Sequence, residues 1–421
     1  MRGPGHTLLP ASAGPVAGRL VAARALRGFA DGFASVCLAA HLAALGFSAT
    51  AIGAIATAAL LGSAALTLAV GLAADRLAPR AVLRAASLLL LATGAGFAVL
   101  TGFWPLLVLA FVGTLNPTGG DVSVFAPTEQ SLLAGQAAAR DHTALFARYN
   151  LGGALLGALG ALASGVPGLA AGPLGVSLES ALRAGFALYG AAAFGLLVLY
   201  RAVPPAAPKP AAPGPHRPLA RSRRVVLELA ALFSLDAFGG GFVVQSLLAL
   251  WLFQRFDLSL AAAGAVFFGA GVLAAFSQLA SAWLAARIGR VRTMVYTHVP
   301  ANLFLVLAAL MPTVEGAVAF LLLRMALSQM DVPARQSLVM ALVPPEERAA
   351  AASVTNVPRA LAAALAPLLA GALLDASDRG WPLIAAGGLK LAYDLLFFVR
   401  FRGVEPPLAP EPGSSPADSA P

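Results

Sequence analysis

The chain has 421 residues, of which 59% are hydrophobic and 11% charged, and its mean hydropathy is +0.82. Soluble domains carry about 25% charged residues, so this composition excludes a water-soluble enzyme, a disordered chain and, with the single cysteine Cys37, a disulfide scaffold. The net charge of +9 invites a nucleic-acid reading, but no basic face interleaved with aromatics exists to support one, and the five histidines lack metal-ligand spacing.

A bilayer-crossing helix needs about 20 mostly apolar residues. Residues 1–20 are broken by Pro and Gly, contain no signal-peptide core and read as a cytoplasmic tail. About twelve apolar runs follow, near 24–46, 50–73, 82–102, 105–133, 143–165, 180–201, 225–252, 260–285, 293–311, 315–342, 350–374 and 380–399. The one long polar break, 204–224, is rich in proline and reads as an extended linker. It separates a six-helix bundle at 21–203 from a second at 225–402, and 403–421 forms a Pro/Ser-rich tail. Lys and Arg sort by loop parity. Arg19, Arg76, Arg140, Arg221, Arg290, Arg348 and Arg402 share one side, against little beyond Arg183, Arg255 and Arg379 on the other. The positive-inside rule then puts both termini in the cytoplasm of a multi-pass protein of the cell (inner) membrane. The expected fold class is an all-α membrane protein of two pseudo-symmetric six-helix bundles.

The two halves repeat. Pro127-Thr128-Glu129-Gln130-Ser131-Leu132 aligns with Pro333-Ala334-Arg335-Gln336-Ser337-Leu338, and in that register Asn150 falls on Asn356. Asp31-Gly32-Phe33 has a counterpart in Asp236-Ala237-Phe238. A duplicated bundle of this kind is a transporter architecture, with the substrate site between the halves near mid-membrane.

Charges inside the spans are costly and need a reason. Asp31, Asp121, Asp236 and Asp331 are candidates for proton coupling. Asp121 follows Asn116-Pro117-Thr118-Gly119-Gly120, a run that weakens a helix and suits a cavity-lining stretch. Asp236 precedes Gly239-Gly240-Gly241, a hinge candidate, with Gln245 one turn further on. Arg148 and Arg359 either hold an anionic substrate or neutralise Asp121 and Asp331. Phe33, Phe238, Phe242, Asn116, Asn150, Asn356 and Gln245 are further cavity candidates. Lys390 and Asp394, spaced i,i+4, are expected to pair on one helix face. Glu129 and Arg335 are expected to pair across the halves as a gate.

The loop Gly71-Leu72-Ala73-Ala74-Asp75-Arg76-Leu77-Ala78-Pro79-Arg80 resembles motif A of the major facilitator superfamily, and its second-half counterpart at 282–292 keeps only the basic cluster. The resemblance covers about residues 20–402. It implies the major facilitator fold and a gating role for Gly71, Asp75, Arg76 and Arg80, with Gly71 letting the second and eleventh spans approach closely. The glycines Gly152, Gly153, Gly157, Gly160 and Gly165 in the fifth span resemble the drug/proton antiporter branch, although Ala161 stands where that branch has proline.

The expected function is secondary active transport of a small-molecule substrate by alternating access, coupled to protons and directed outward. Proton-coupled uptake of a metabolite is the alternative, and a membrane sensor or polytopic enzyme the alternatives of another class. No Walker-type loop, cofactor signature or metal cluster is present. The expected partners are substrate, protons and the lipid bilayer, with the chain a monomer.

Overall fold

A computed structural model describes residues 9–10, 12–73, 76–119, 123–138, 141–204, 219, 221–344 and 347–403. The helices in the first half are α1 (Ala17–Ala44), α2 (Ala49–Leu72), α3 (Pro79–Val99), α4 (Phe103–Val112), α5 (Phe125–Ala134), α6 (His142–Ala163), α7 (Val166–Ala171) and α8 (Leu178–Tyr200). Those in the second are α9 (Arg223–Gly241), α10 (Gln245–Phe256), α11 (Leu260–Ile288), α12 (Arg290–Leu310), α13 (Val314–Ser328), α14 (Asp331–Leu342), α15 (Arg348–Ala376) and α16 (Trp381–Phe401). Joining α4 to α5, α6 to α7, α9 to α10 and α13 to α14 recovers the expected passes.

Chemistry legible in the sequence sets the ends. On the side opposite the linker, Ser48, Ser177, Ser259 and Thr313 cap α2, α8, α11 and α13 by accepting from backbone N–H groups. Those short, nearly uncharged loops need no longer device. α1 begins at Ala17, inside the segment expected to be tail, and Ser12 before it donates to Asp141 at 2.5 Å.

Three passes are interrupted near their middle. The fourth, within the apolar run 105–133, breaks where Asn116-Pro117 and the paired glycines were expected to weaken it: α4 stops at Val112 before Gly113 and α5 starts at Phe125. Asn116 closes a side-chain turn there, its Oδ1 accepting from the Thr118 amide at 3.0 Å and hydroxyl at 2.8 Å. The seventh breaks at 242–244, just after the glycine run and not within it. The tenth breaks at Gln329–Met330, where Ser281 donates to the freed Met330 carbonyl at 2.5 Å. Irregular backbone at such depth is tolerated where it is satisfied by protein or lines a cavity.

Small residues bring the helices together. A Cβ on Gly28 or Gly32 of α1 would strike the backbone of Gly153 or Gly157 of α6. Across the halves, Gly53 of α2 abuts the Pro367 carbonyl of α15, and Gly371 of α15 abuts Ala49. Gly264 and Gly271 of α11 likewise meet Ala161 and Ala158 of α6. All these contacts between halves lie away from the linker. So do the hydrogen bonds from the amides of Ala49 and Thr50 to Asp375, and from the Leu368 amide to Thr57 at 3.1 Å.

At the linker end the halves part among the described residues. Gly71 has nothing within 4 Å of where a Cβ would sit, and Leu72 is 78% exposed. In this form the close approach expected of the second and eleventh spans is made not at Gly71 but at Gly53 and Gly371, at the opposite end. The apolar cores agree. One cluster runs through the first half and the outer part of the second, while residues such as Val226, Val295, Leu338 and Phe397 form a separate core at the linker end of the second half. The molecule is closed on the loop side and open on the linker side.

Candidate functional site

A cavity of about 140 Å³ lies in the second half, walled by Asp236 of α9, Arg324 of α13, Asp331 and Arg335 of α14, Arg359 of α15 and Lys390 of α16. Asp236 is the hub. It accepts from Lys390 Nζ at 2.5 Å and from Arg335 at 3.3 Å, and Arg335 also donates to Asp331 at 3.1 Å. The Arg335 guanidinium lies 5.6 Å from the centre of the Phe233 ring. Behind Asp236, His298 of α12 bonds Asp394 at 2.8 Å, Asn302 bonds the same carboxylate at 2.8 Å, and the other His298 nitrogen stands 3.8 Å from Asp236. The local sequence makes room for this. A Cβ on Gly239 would fall 3.0 Å from Lys390 Cγ and one on Gly240 3.6 Å from Cε, so the glycine run is the groove through which the lysine reaches Asp236.

The first half holds a smaller cluster. Glu129 of α5 is fully buried and pairs with Arg27 of α1; it also accepts from the hydroxyls of Tyr149, at 2.6 Å, and Tyr200. Arg27 further donates to Ser123 at 2.9 Å and lies 4.8 Å from the Phe125 ring centre. In each half, then, the first and fourth passes are joined by an ion pair, with the polarity reversed. The first half has its cation on the first pass and its acid on the fourth; in the second half Asp236 is on the first pass and Arg335 on the fourth.

These partners correct two expectations. Glu129 and Arg335 do not pair across the halves, because each is saturated within its own half. Lys390 and Asp394 do not neutralise each other: neighbouring helices offer Lys390 the Asp236 carboxylate and offer Asp394 an imidazole and an amide.

The remaining candidates disperse. Asp236, Asp331, Arg335 and Arg359 come together. Asp31 is buried on α1. Phe33 is turned into the α1–α8 packing against Gly185, which corrects its assignment to the cavity. Arg148 is exposed and donates to the Ala144 carbonyl of its own helix at 3.0 Å; Asn150 and Asn356 are exposed too. Arg359 does not neutralise Asp331, since Arg335 does. Phe238 and Phe242 stack edge to face at 5.3 Å beside the seventh-pass break. Asn116 serves its own turn, and that stretch touches the second half where the Ser246 amide donates to the Pro117 carbonyl at 3.1 Å. Gln245 packs against Gly119. Arg76 is exposed and Arg80 half-buried, while Asp75 and Asp121 lie outside the described residues. Sequence reasoning missed Arg27, Tyr149, Tyr200 and His298 as cluster members. The one available signal was Arg27 lying one turn before Asp31 in an apolar helix.

Comparison with known proteins agrees with this architecture. Residues 20–330 match the model of the Major Facilitator Superfamily. The chain is 24% identical over 371 residues to "Uncharacterized membrane protein YJR124C" of Saccharomyces cerevisiae, covering 79% of this chain and 82% of that one. Its fold resembles that of a bacterial homologue of the human lysosomal transporter Spinster in an inward-facing, occupied conformation (TM-score 0.74, 14% identity, 97% of this chain and 100% of that chain). It also resembles that of a D-xylose–proton symporter (TM-score 0.71, 16% identity, 90% and 97%). Likeness at such identities establishes the fold alone.

Proposed function

Because the chain belongs to the Major Facilitator Superfamily and is a membrane transporter rather than an enzyme, we propose that it is a proton-coupled carrier of a small solute. Its two halves rock about the α2–α15 and α6–α11 seams. The observation that carries the coupling is the buried Lys390–Asp236–Arg335–Asp331 chain beside the cavity. Asp236 and Asp331 share Arg335, so a proton on either carboxylate leaves the guanidinium to the other. That switch changes the pairing between α9, α14 and α16 without unfolding any of them. Coupling requires only that protonated and unprotonated networks differ in energy between the two access states. For direction, our reading is export by antiport, supported by the glycine-rich α6 and the motif-A loop. Both termini and the open side are then cytoplasmic, as the distribution of Lys and Arg suggests.

The test is solute-evoked proton movement in oriented proteoliposomes, read with a pH-sensitive dye, over a panel of drugs, organic acids, sugars and amino acids. Wild type moves protons opposite to solute; Asp236→Asn and Asp331→Asn exchange solute without proton movement. Protons moving with solute would establish uptake in place of export. Coupled flux surviving both substitutions would remove this network from the mechanism, and binding without flux would make the protein a sensor.

A further inference from the structure

The charges around the cavity do not balance on protein groups. Lys390 and Arg335 are matched by Asp236 and Asp331, and Asp394 behind them is held by His298 and Asn302. Arg324 and Arg359 are left over. The Arg324 guanidinium reaches only the Met325 sulfur, at 3.2 Å, and Arg359 makes no side-chain hydrogen bond or ion pair among the described residues. The Nε atoms of both are buried without a partner, and both side chains line the same cavity. Both residues are half-buried, and a mid-span arginine facing a cavity without a carboxylate partner is a costly arrangement for a membrane helix.

We propose that this cavity binds a small organic anion, a carboxylate or phosphate, held by Arg324 and Arg359. A guanidinium offers a planar fork of N–H donors that matches either group in bidentate fashion. The volume of about 140 Å³ is close to that of a cavity which takes up benzene, so it encloses a group of roughly six non-hydrogen atoms. A phosphate or a short dicarboxylate fits, and any larger remainder extends into the opening between the halves. Neutral donors are present too: the break between α13 and α14 places Ser328 and Gln329 on the cavity wall. Gln329 uses its carbonyl oxygen toward Gln278 at 3.5 Å, which leaves its NH₂ group for a ligand. This inference deepens the transport reading by naming a substrate class. It rests on that reading for turnover and not for binding.

The experiment is thermal unfolding of the full chain purified in detergent, titrated with succinate, inorganic phosphate or glycerol 3-phosphate. Sodium chloride at matched ionic strength and xylitol serve as controls. Wild type, Arg324→Gln, Arg359→Gln and the double variant are compared. In wild type, carboxylate, phosphate or both raise the midpoint with saturation. A response to succinate alone assigns a carboxylate site, and one to the phosphates alone a phosphate site. Each single substitution weakens the apparent affinity at least tenfold. Without anion the Gln variants melt at or above the wild-type temperature, because an unmatched charge has gone. Arginines serving structure alone would give the reverse, lower melting without anion. The proposal is overturned if no anion shifts wild type beyond the chloride control, or if Arg359→Gln and Arg324→Gln keep the shift undiminished. Saturable anion binding with no flux in liposomes defeats transport and spares the site; coupled flux of neutral solutes with no anion response does the opposite.

Discussion

Asp375→Ala should open the closed side of the molecule. The Asp375 carboxylate, at the end of α15, accepts from the backbone amides of Ala49 at 2.7 Å and Thr50 at 2.8 Å, at the start of α2 in the other half. Hydrogen bonds to a charged group contribute about 1.5–3 kcal/mol each, and a carboxylate at a helix N-terminus adds about 0.3–1 kcal/mol. Asp375 is exposed, so water competes for it, and the latch is discounted to about 2 kcal/mol in all. That free energy exists only while the halves touch on this side, so its loss shifts the access equilibrium about 30-fold toward the alternative state. An open population of about 1% in wild type would become about a quarter. The shift is measurable by pulsed electron paramagnetic resonance. Spin labels at Leu174→Cys in the first half and Leu310→Cys in the second, in a Cys37→Ala background, sit at positions 71% and 59% exposed. A longer-distance component should grow in Asp375→Ala and grow less in Asp375→Asn, which keeps one acceptor. Identical distance distributions in all three proteins would refute the latch.

Glu129→Gln leaves Arg27 buried beside a neutral amide and should cost about 3–5 kcal/mol, read as a lowered unfolding midpoint in detergent. The double variant Arg27→Met/Glu129→Leu should recover much of that loss. Gly32→Val forces a side chain against the Gly157 carbonyl; overpacking of about 1–3 kcal/mol should lower the midpoint, while Gly71→Val, facing open space, should leave it unchanged. Gly239→Val closes the groove that Lys390 uses, so it and Lys390→Ala should both lose proton-coupled transport in proteoliposomes. Gly388→Val, with nothing within 4 Å of its Cβ position, should transport as wild type.

The sequence by itself determined the passes and the repeat, because these are local or one-dimensional properties. A run of apolar residues spans a bilayer whatever its neighbours are. The breaks in the fourth and seventh passes were foreshadowed by Gly113, Asn116-Pro117 and the 239–241 glycines, although their positions were not. Tertiary structure alone decided which charges meet. Lys390 and Asp394 share a helix face, so spacing joins them. Yet an ion pair belongs to whichever partner lies at the right depth on the neighbouring helix, and the groove at Gly239 and Gly240 brings Asp236 to within 2.5 Å of Lys390. Glu129 and Arg335 occupy equivalent places in the repeat, which made them look like partners. Equivalence instead gives each its own neighbour on the first pass of its own half. The same rule leaves Arg359 without an ion pair among the described residues, because Asp331 is already taken by Arg335 on its own helix. An unmatched charge of that kind is a difference between all the pairings in a cavity, and no linear pattern of residues encodes it.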